Sequence, residues 1–116
     1  MVTTTRTSPM LDDADIQQLA AALRGRLVAP ADPDYDDARA VYNAMINKRP
    51  ALIAQCVDVA DVITAVGFAR DHQMLVAIRG GGHNGPGLGS VDDGLVIDLR
   101  QMNGVRVDPE TRTARV

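Results

Sequence analysis

The residues with the clearest chemical potential form a glycine-rich segment at positions 79–89, with the sequence RGGGHNGPGLG. Six of its eleven residues are glycine, and successive glycines let backbone amides point at one ligand because no Cβ atom obstructs it. Such an arrangement suits an anion, above all a pyrophosphate, and Arg79 places a positive charge where the segment begins. The structural alternative is a plain flexible connection between two strands, although that would need only one or two glycines.

Two known phosphate-binding motifs can be tested against this segment. Gly80, Gly82 and Gly85 have the G-x-G-x-x-G spacing of dinucleotide-binding folds, but that motif needs a helix to begin at the third glycine. Pro86 and two further glycines follow at once, so no helix can form there. The chain also has no Gly-Lys-Ser/Thr sequence, which excludes a Walker A loop. The segment is therefore a glycine-rich loop of another kind.

His83 is the one reactive side chain within this segment. A metal site fits poorly, because neither His72 nor Cys56 stands at a ligand spacing from it. General-base catalysis would need a carboxylate partner that the sequence does not identify. From these residues alone, two interpretations of His83 stay open: a covalent anchor for a cofactor and an ordinary solvated histidine.

Apolar runs on both sides of the segment predict the elements that position it. LVAI precedes it and GLVIDL follows it, and upstream ALIAQCV predicts a strand that is buried on both faces. Asp58 predicts the N-cap of a helix whose buried stripe carries Val62, Ile63, Val66 and Ala69. The order strand, helix, strand is typical of a βαβ unit with parallel strands.

The flanking regions complete a prediction of an α/β (α+β) fold. We expect a flexible tail over residues 1–10, a helix that follows Asp12 or Asp13 and ends near Gly25, a loop at VAPADPDYDD and a short helix at ARAVYNAMI. The last section, VRVDPETRTARV, predicts two short antiparallel strands. The fold is thus a small, mostly parallel sheet flanked by helices, leading into antiparallel strands.

Length and composition narrow the classes of function. The 116 residues suffice for one domain, and a formal charge of −3 with 3% aromatic residues argues against a nucleic-acid partner. Cys56 is the single cysteine, which fits a reducing compartment. The sequence has neither a signal-peptide pattern nor an apolar run long enough to cross a bilayer. We therefore expect a cytoplasmic protein without a membrane partner.

The order of motifs along the chain resembles a known family. NKRP, an apolar strand, a helix that begins DV, LVAIRGGGHN, GLVIDL and NGVRVDP occur in sequence from about Tyr35 to Val116. This pattern resembles the berberine bridge enzyme-like branch of FAD-linked oxidoreductases, which have a vanillyl-alcohol oxidase or PCMH-type FAD-binding domain. The resemblance implies that the chain forms the first lobe of such a domain.

The resemblance also implies roles for particular residues. The loop around His83 would hold the FAD pyrophosphate, with His83 itself bonded to the flavin 8α-methyl carbon and Asp98 in a structural role. In this family a flavin accepts a hydride at N5 from an alcohol, amine or sugar substrate, and dioxygen then reoxidises it. The cofactor-binding residues implied in this way are Arg79, Gly80, Gly81, Gly82, His83, Asn84, Gly87 and Leu88.

The chain departs from the family pattern in ways that limit these expectations. Val116 falls inside a predicted strand, so we expect residues 11–116 to be the N-terminal part of an FAD-binding domain, without the substrate domain and inactive alone. A second covalent anchor, a cysteine further along in many members, is absent, and Cys56 reads instead as a small buried thiol. A non-catalytic nucleotide- or phosphate-binding module and a decayed enzyme fragment are the alternatives.

Overall fold

The computed structural model describes residues 11–80 and 89–115, which form a four-stranded sheet with three helices and a separate two-stranded hairpin. The predicted fold class is confirmed, whereas the predicted tail at residues 1–10 lies outside the described ranges. The elements in chain order are α1 (Asp13–Ala22), β1 (Arg26–Val28), α2 (Tyr35–Arg39), β2 (Leu52–Gln55), α3 (Val59–Asp71), β3 (Val76–Arg79), β4 (Leu95–Asp98), β5 (Arg106–Asp108) and β6 (Thr113–Arg115).

The four-stranded sheet has the strand order β1-β2-β4-β3. β2, β4 and β3 are parallel, while β1 pairs antiparallel with the outer edge of β2. The connection through α3 therefore joins two parallel strands that are not neighbours, and β4 fills the place between them. β2 and β4 are buried on both faces, as their unbroken apolar runs predict, whereas β3 alternates between exposed and buried residues because it is an edge strand.

α1 and α3 cover one face of the sheet, and both begin at the predicted caps. The carboxylate of Asp12 accepts a hydrogen bond from the Asp15 amide, and that of Asp58 accepts one from the Asp61 amide, both at 2.9 Å. α3 ends at Asp71, with His72 as its C-cap, in a Schellman motif in which the Met74 amide donates to the Ala69 carbonyl. The core between these helices and the sheet consists mainly of Leu19, Leu23, Leu52, Ala54, Cys56, Ala65, Ala69, Met74, Leu95 and Ile97.

The predicted buried stripe of α3 is wrong in part. Ile63 and Val66 are exposed, at 68% and 48%, whereas Ala65 and Ala69 are buried. The reason is Asp61, which is 1% exposed and turns its carboxylate inward to accept backbone hydrogen bonds. Because residues four apart share a helix face, the inward orientation of Asp61 brings the two alanines into the core.

The segment between α1 and β2 also differs from its prediction. Residues 26–28 form strand β1, so Val28, the first residue of the predicted loop, belongs to a strand. The helix expected over ARAVYNAMI begins earlier, at Tyr35, and ends at Arg39. The Arg39 guanidinium donates to Asn47 Oδ1 at 2.6 Å and to the Lys48 carbonyl at 3.1 Å, so residues 40–48 fold back instead of continuing the helix.

α2 covers the opposite face of the sheet. Tyr35 and Ala38 pack there on Ile53, Ala77 and Val96, and the Tyr35 hydroxyl donates to the Pro50 carbonyl at 2.7 Å. The β5–β6 hairpin has the predicted turn after Asp108, and its strand residues are exposed. No helix in the described ranges has the length and apolar character needed to cross a membrane.

Candidate functional site

The glycine-rich segment leaves the sheet at the carboxyl end of β3. The register places Gln55, Asp98 and Arg79, the last residues of the three parallel strands, side by side in that order. In α/β sheets, ligands bind outside the carboxyl ends of the parallel strands. The segment thus begins at the edge of the sheet where a ligand is expected.

The side chain of Arg79 does not extend into solvent at this edge. It is buried and lies under α2, where Nη2 donates to the Ala38 carbonyl at 2.5 Å and Nη1 to the Ala40 carbonyl at 3.4 Å. The same Nη2 donates to Asp98 Oδ2 at 2.8 Å. Arg79 therefore closes the carboxyl end of α2, whose last carbonyls have no partner within the helix, and connects it to β4.

Asp98 lies between two guanidinium groups. Arg100 donates to its carboxylate through Nη2 at 2.9 Å, Nε at 3.2 Å and the backbone amide at 3.0 Å. Burial disfavours the ionised carboxylate, but the hydrogen bonds from Arg100 and Arg79 outweigh it and hold the pKa of Asp98 below its usual value. Two cations, Arg79 and Arg100, thus face the single carboxylate of Asp98.

Two buried polar atoms close to the ends of the segment have no hydrogen-bond partner in the part of the chain that the structure describes. They are Arg79 Nε and Ser90 Oγ. Apart from Gly80 and its chain neighbours, no atom of the described residues lies within 4 Å of the position that a Cβ on Gly80 would take. The open Cβ position of Gly80 and the unpartnered Ser90 hydroxyl are compatible with the phosphates of a dinucleotide cofactor.

The structure describes two of the eight predicted cofactor-binding residues. Gly80 is exposed at the start of the segment, and Arg79 is buried against α2 and Asp98 instead of standing free at the entrance. Gly81, Gly82, His83, Asn84, Gly87 and Leu88 lie outside the described residues. The cofactor contacts of all eight residues stay predictions.

Cys56 is a buried thiol, as predicted. Its side chain is fully buried in the core beneath α3, and burial raises the pKa of the thiol to about 11. A thiol with this pKa is almost entirely protonated near neutral pH and is a poor nucleophile. Among residues 11–80 and 89–115, no group of three or more His, Cys, Asp or Glu side chains is arranged to hold a metal ion.

Comparison with known proteins decides the family. The sequence profile described as "FAD binding domain" matches residues 50–116, which includes β2, α3, β3, the glycine-rich segment and everything after it. The chain belongs to this FAD-binding domain family. Arg79, Asp98 and the segment between β3 and β4 all lie within the matched range, so this carboxyl edge belongs to the FAD-binding domain of FAD-linked oxidoreductases.

Individual relatives support the resemblance to berberine bridge enzyme-like proteins, which is confirmed. (R)-6-hydroxynicotine oxidase from Paenarthrobacter nicotinovorans is 34% identical over 95 residues, which are 82% of this chain and 21% of that protein. The crystal structure of 6-hydroxy-D-nicotine oxidase from Arthrobacter nicotinovorans matches 81% of this chain, and 21% of its own, with a TM-score of 0.78 at 34% identity. BBE-like 1 from Physcomitrella patens matches 85% of this chain, and 22% of its own, with a TM-score of 0.74 at 29% identity. The chain thus spans about a fifth of the length of these relatives.

Sequence reasoning missed the partners that gather around Arg79. Nothing local marks the carbonyls of Ala38 and Ala40 as acceptors, because they are backbone groups about forty positions away. A usable signal was present in the strands, since Arg79 and Asp98 are charged residues that end two apolar runs. Opposite charges at equivalent positions of buried strands indicate a pair once those strands are known to be neighbours.

Proposed function

We propose that this chain holds FAD by its pyrophosphate, with the glycine-rich segment as the binding loop and His83 as the covalent attachment point for the flavin. The observation that carries the proposal is the position of Gly80, directly after the carboxyl end of parallel strand β3 and next to the buried Arg79–Asp98 pair, which the half-exposed Arg100 also joins. Membership of the FAD-binding domain family supports it.

In this proposal the residues divide into three roles. Backbone amides of residues 80–82 would donate to the phosphate oxygens, and Asn84, Gly87 and Leu88 would complete the loop around them. A ring nitrogen of His83 would replace one hydrogen of the flavin 8α-methyl group, and dioxygen would accept the two electrons and two protons released. The bound flavin supplies an acceptor for a hydride from an alcohol, sugar or amine substrate, with dioxygen as reoxidant. (R)-6-hydroxynicotine oxidase is about four times as long as this chain, since the 95 matched residues are 21% of it, and we propose that the 116-residue chain alone binds without turnover.

We also propose a cytoplasmic location and a small-molecule substrate, without nucleic-acid or membrane partners. The formal charge of −3 and the single, buried cysteine support these proposals. The proposals on location and partners are secondary to the proposal on the cofactor, because none of them depends on the geometry at β3.

Flavin titration tests the cofactor proposal. Flavin fluorescence of FAD should be quenched as the purified chain is added, ADP should compete, and riboflavin, which lacks phosphates, should bind at least about tenfold more weakly, a difference of about 1.4 kcal/mol. Equal affinity for riboflavin and FAD would show that the pyrophosphate is not recognised. Competition by ADP without any affinity for the flavin half would favour a nucleotide-binding module instead.

Acid precipitation tests the covalent attachment. After incubation with FAD, the unmodified chain should retain flavin fluorescence in the acid pellet, and His83→Ala should retain none. His72→Ala is the matched control, because the His72 ring stacks on Phe68 at the end of α3 and lies beside Asp15 of α1. Release of all flavin into the supernatant from the unmodified chain would contradict attachment at His83. Non-covalent FAD binding is tested separately by the titration.

A further inference from the structure

We infer that Arg79 is a positioning residue of the FAD site rather than a ligand of the phosphates: together with Asp98 it sets where the chain leaves β3 and where it returns at Gly89. This inference rests on the proposed function, since it concerns how the same glycine-rich segment is held. The observation behind this inference is a buried ion pair between Arg79, where the segment begins, and Asp98. The side chain of Arg79 is 0% exposed and that of Asp98 is 2% exposed.

Most of the hydrogen-bonding capacity of the Arg79 guanidinium is directed into the protein. Nη2 donates hydrogen bonds to the Ala38 carbonyl and to Asp98, and Nη1 donates one to the Ala40 carbonyl. A direct phosphate contact through Nη2 would require breaking the buried charge pair with Asp98, which is costly because the remaining charge would be left unpaired. Two N–H donors remain, one on Nη1 and one on Nε, and Nε has no partner in the described residues. The experiment must therefore separate positioning from a direct contact through these donors.

Arg79 also joins the segments around the loop through its backbone and its aliphatic stem. Its carbonyl accepts a hydrogen bond from the Leu99 amide at 2.8 Å, just after β4. A Cβ added to Gly89 would lie 3.6 Å from Arg79 Cγ, so the returning chain runs in close contact with the stem of this side chain. One residue thus connects α2, β4 and the chain at Gly89.

The two roles predict opposite effects for the partner carboxylate. If Arg79 only positions the segment, removal of the Asp98 charge frees the guanidinium to move and weakens FAD binding, although it makes the site more positive. If Arg79 binds the phosphates directly, removal of Asp98 leaves a freer cation beside the anion, and FAD binding is unchanged or tighter. The sign of the Asp98→Asn effect therefore separates the roles.

The test is a double-mutant cycle on the full chain with Arg79→Gln, Asp98→Asn and their combination, read by the FAD dissociation constant. We expect each single change to weaken FAD binding about tenfold or more and the combination to be no weaker than the worse single variant. Urea unfolding without flavin is measured on the same proteins, and Arg79→Lys replaces Arg79→Gln if the latter does not fold. Arg79→Lys keeps the charge but not the forked geometry, so we expect intermediate FAD binding.

Asp61→Asn is the matched control for a purely structural role, because Asp61 is a buried, hydrogen-bonded carboxylate that lies outside the cluster. It should destabilise the fold yet bind FAD within about twofold of the unmodified chain, under conditions where both are folded. Equal loss of FAD binding in Asp61→Asn would overturn positioning in favour of general destabilisation. Unchanged or tighter binding in Asp98→Asn would overturn it in favour of direct contact. Absence of FAD binding by the unmodified chain would overturn the proposed function itself, and this inference with it.

Discussion

Asp61 Oδ2 accepts a hydrogen bond from the Gly25 amide at 2.9 Å, across 36 positions of sequence. The same oxygen accepts from the Val57 amide at 3.1 Å, and Oδ1 accepts from the Arg24 amide at 2.8 Å. One carboxylate on α3 therefore holds the turn between α1 and β1 as well as the start of its own helix. This arrangement keeps the antiparallel edge strand attached to the parallel part of the sheet.

Replacement of Asp61 should be among the more damaging single changes in the chain. In Asp61→Asn one acceptor oxygen becomes a donor facing backbone amides, so the free energy of unfolding should fall by about 2–3 kcal/mol. Urea denaturation followed by circular dichroism measures the change. Asp71→Asn is the control, because Asp71 is exposed on the same helix and should shift the free energy by no more than about 0.5 kcal/mol. Similar effects of the two changes would contradict the assigned role of Asp61.

The stability of the fold should decrease in acid. Burial opposes ionisation of Asp61, but hydrogen bonds from the backbone amides of Arg24, Val57 and Gly25 outweigh it and hold its pKa below the usual value, as happens also at Asp98. A carboxylate with a lowered pKa in the folded state stabilises the fold above its unfolded pKa, near 3.9, and this contribution is lost as the pH falls towards the folded pKa. Urea unfolding between pH 7 and pH 3 should show this decline, with a shallower one in Asp61→Asn. Equal slopes would contradict the assignment.

Two glycines should respond to alanine in opposite directions. A Cβ on Gly25 would lie 1.9 Å from the Gln55 carbonyl oxygen, so Gly25→Ala must displace backbone and should cost about 1–3 kcal/mol or more. Around Gly67, in the middle of α3, the described residues leave the Cβ position open, so Gly67→Ala should stabilise by about 0.5–1 kcal/mol. Thermal melting of both variants is the measurement, and a loss of stability in Gly67→Ala would show an unrecognised contact there.

The end of α3 offers a stabilising substitution. Gln73 has φ 52° at the position of the Schellman motif that glycine normally occupies, while the Met74 amide bonds to the Ala69 carbonyl at 2.9 Å. Gln73→Gly should raise the free energy of unfolding by about 0.5–1 kcal/mol, because the left-handed conformation costs a residue with a Cβ about 1–2 kcal/mol, part of which the greater flexibility of unfolded glycine offsets. Gln73→Ala should bring no such gain, since the Cβ remains.

The thiol of Cys56 should be protected in the folded state. Its pKa is raised by burial from 9.0 to about 11, which lowers the thiolate fraction about a hundredfold at mildly alkaline pH. Reaction with Ellman's reagent at pH 8 should therefore be at least about 100-fold slower for the folded chain than in concentrated urea. Rapid, stoichiometric reaction without denaturant would contradict the buried position beneath α3.

Local chemistry explains which elements could be read from the sequence. Asp12 and Asp58 accept hydrogen bonds from amides three positions onward, so their capping roles need no distant partner. β2 and β4 were recognisable because both of their faces are apolar. Strand β1, by contrast, is three residues long and is a strand only because it pairs with β2. Which face of α3 is buried depends on the distant backbone amides of Arg24 and Gly25, to which the Asp61 carboxylate is hydrogen-bonded.

The sequence by itself determined the fold class, the glycine-rich segment and the family, because these depend on patterns within short stretches of chain. The tertiary structure decided which groups the charged residues pair with. Arg79 stands next to a predicted phosphate-binding loop, yet its guanidinium pairs with Asp98 and donates hydrogen bonds to backbone carbonyls about forty positions earlier. A side chain's partners depend on which strands become neighbours, and the insertion of β4 between β2 and β3 is a property of the whole sheet that no local pattern encodes.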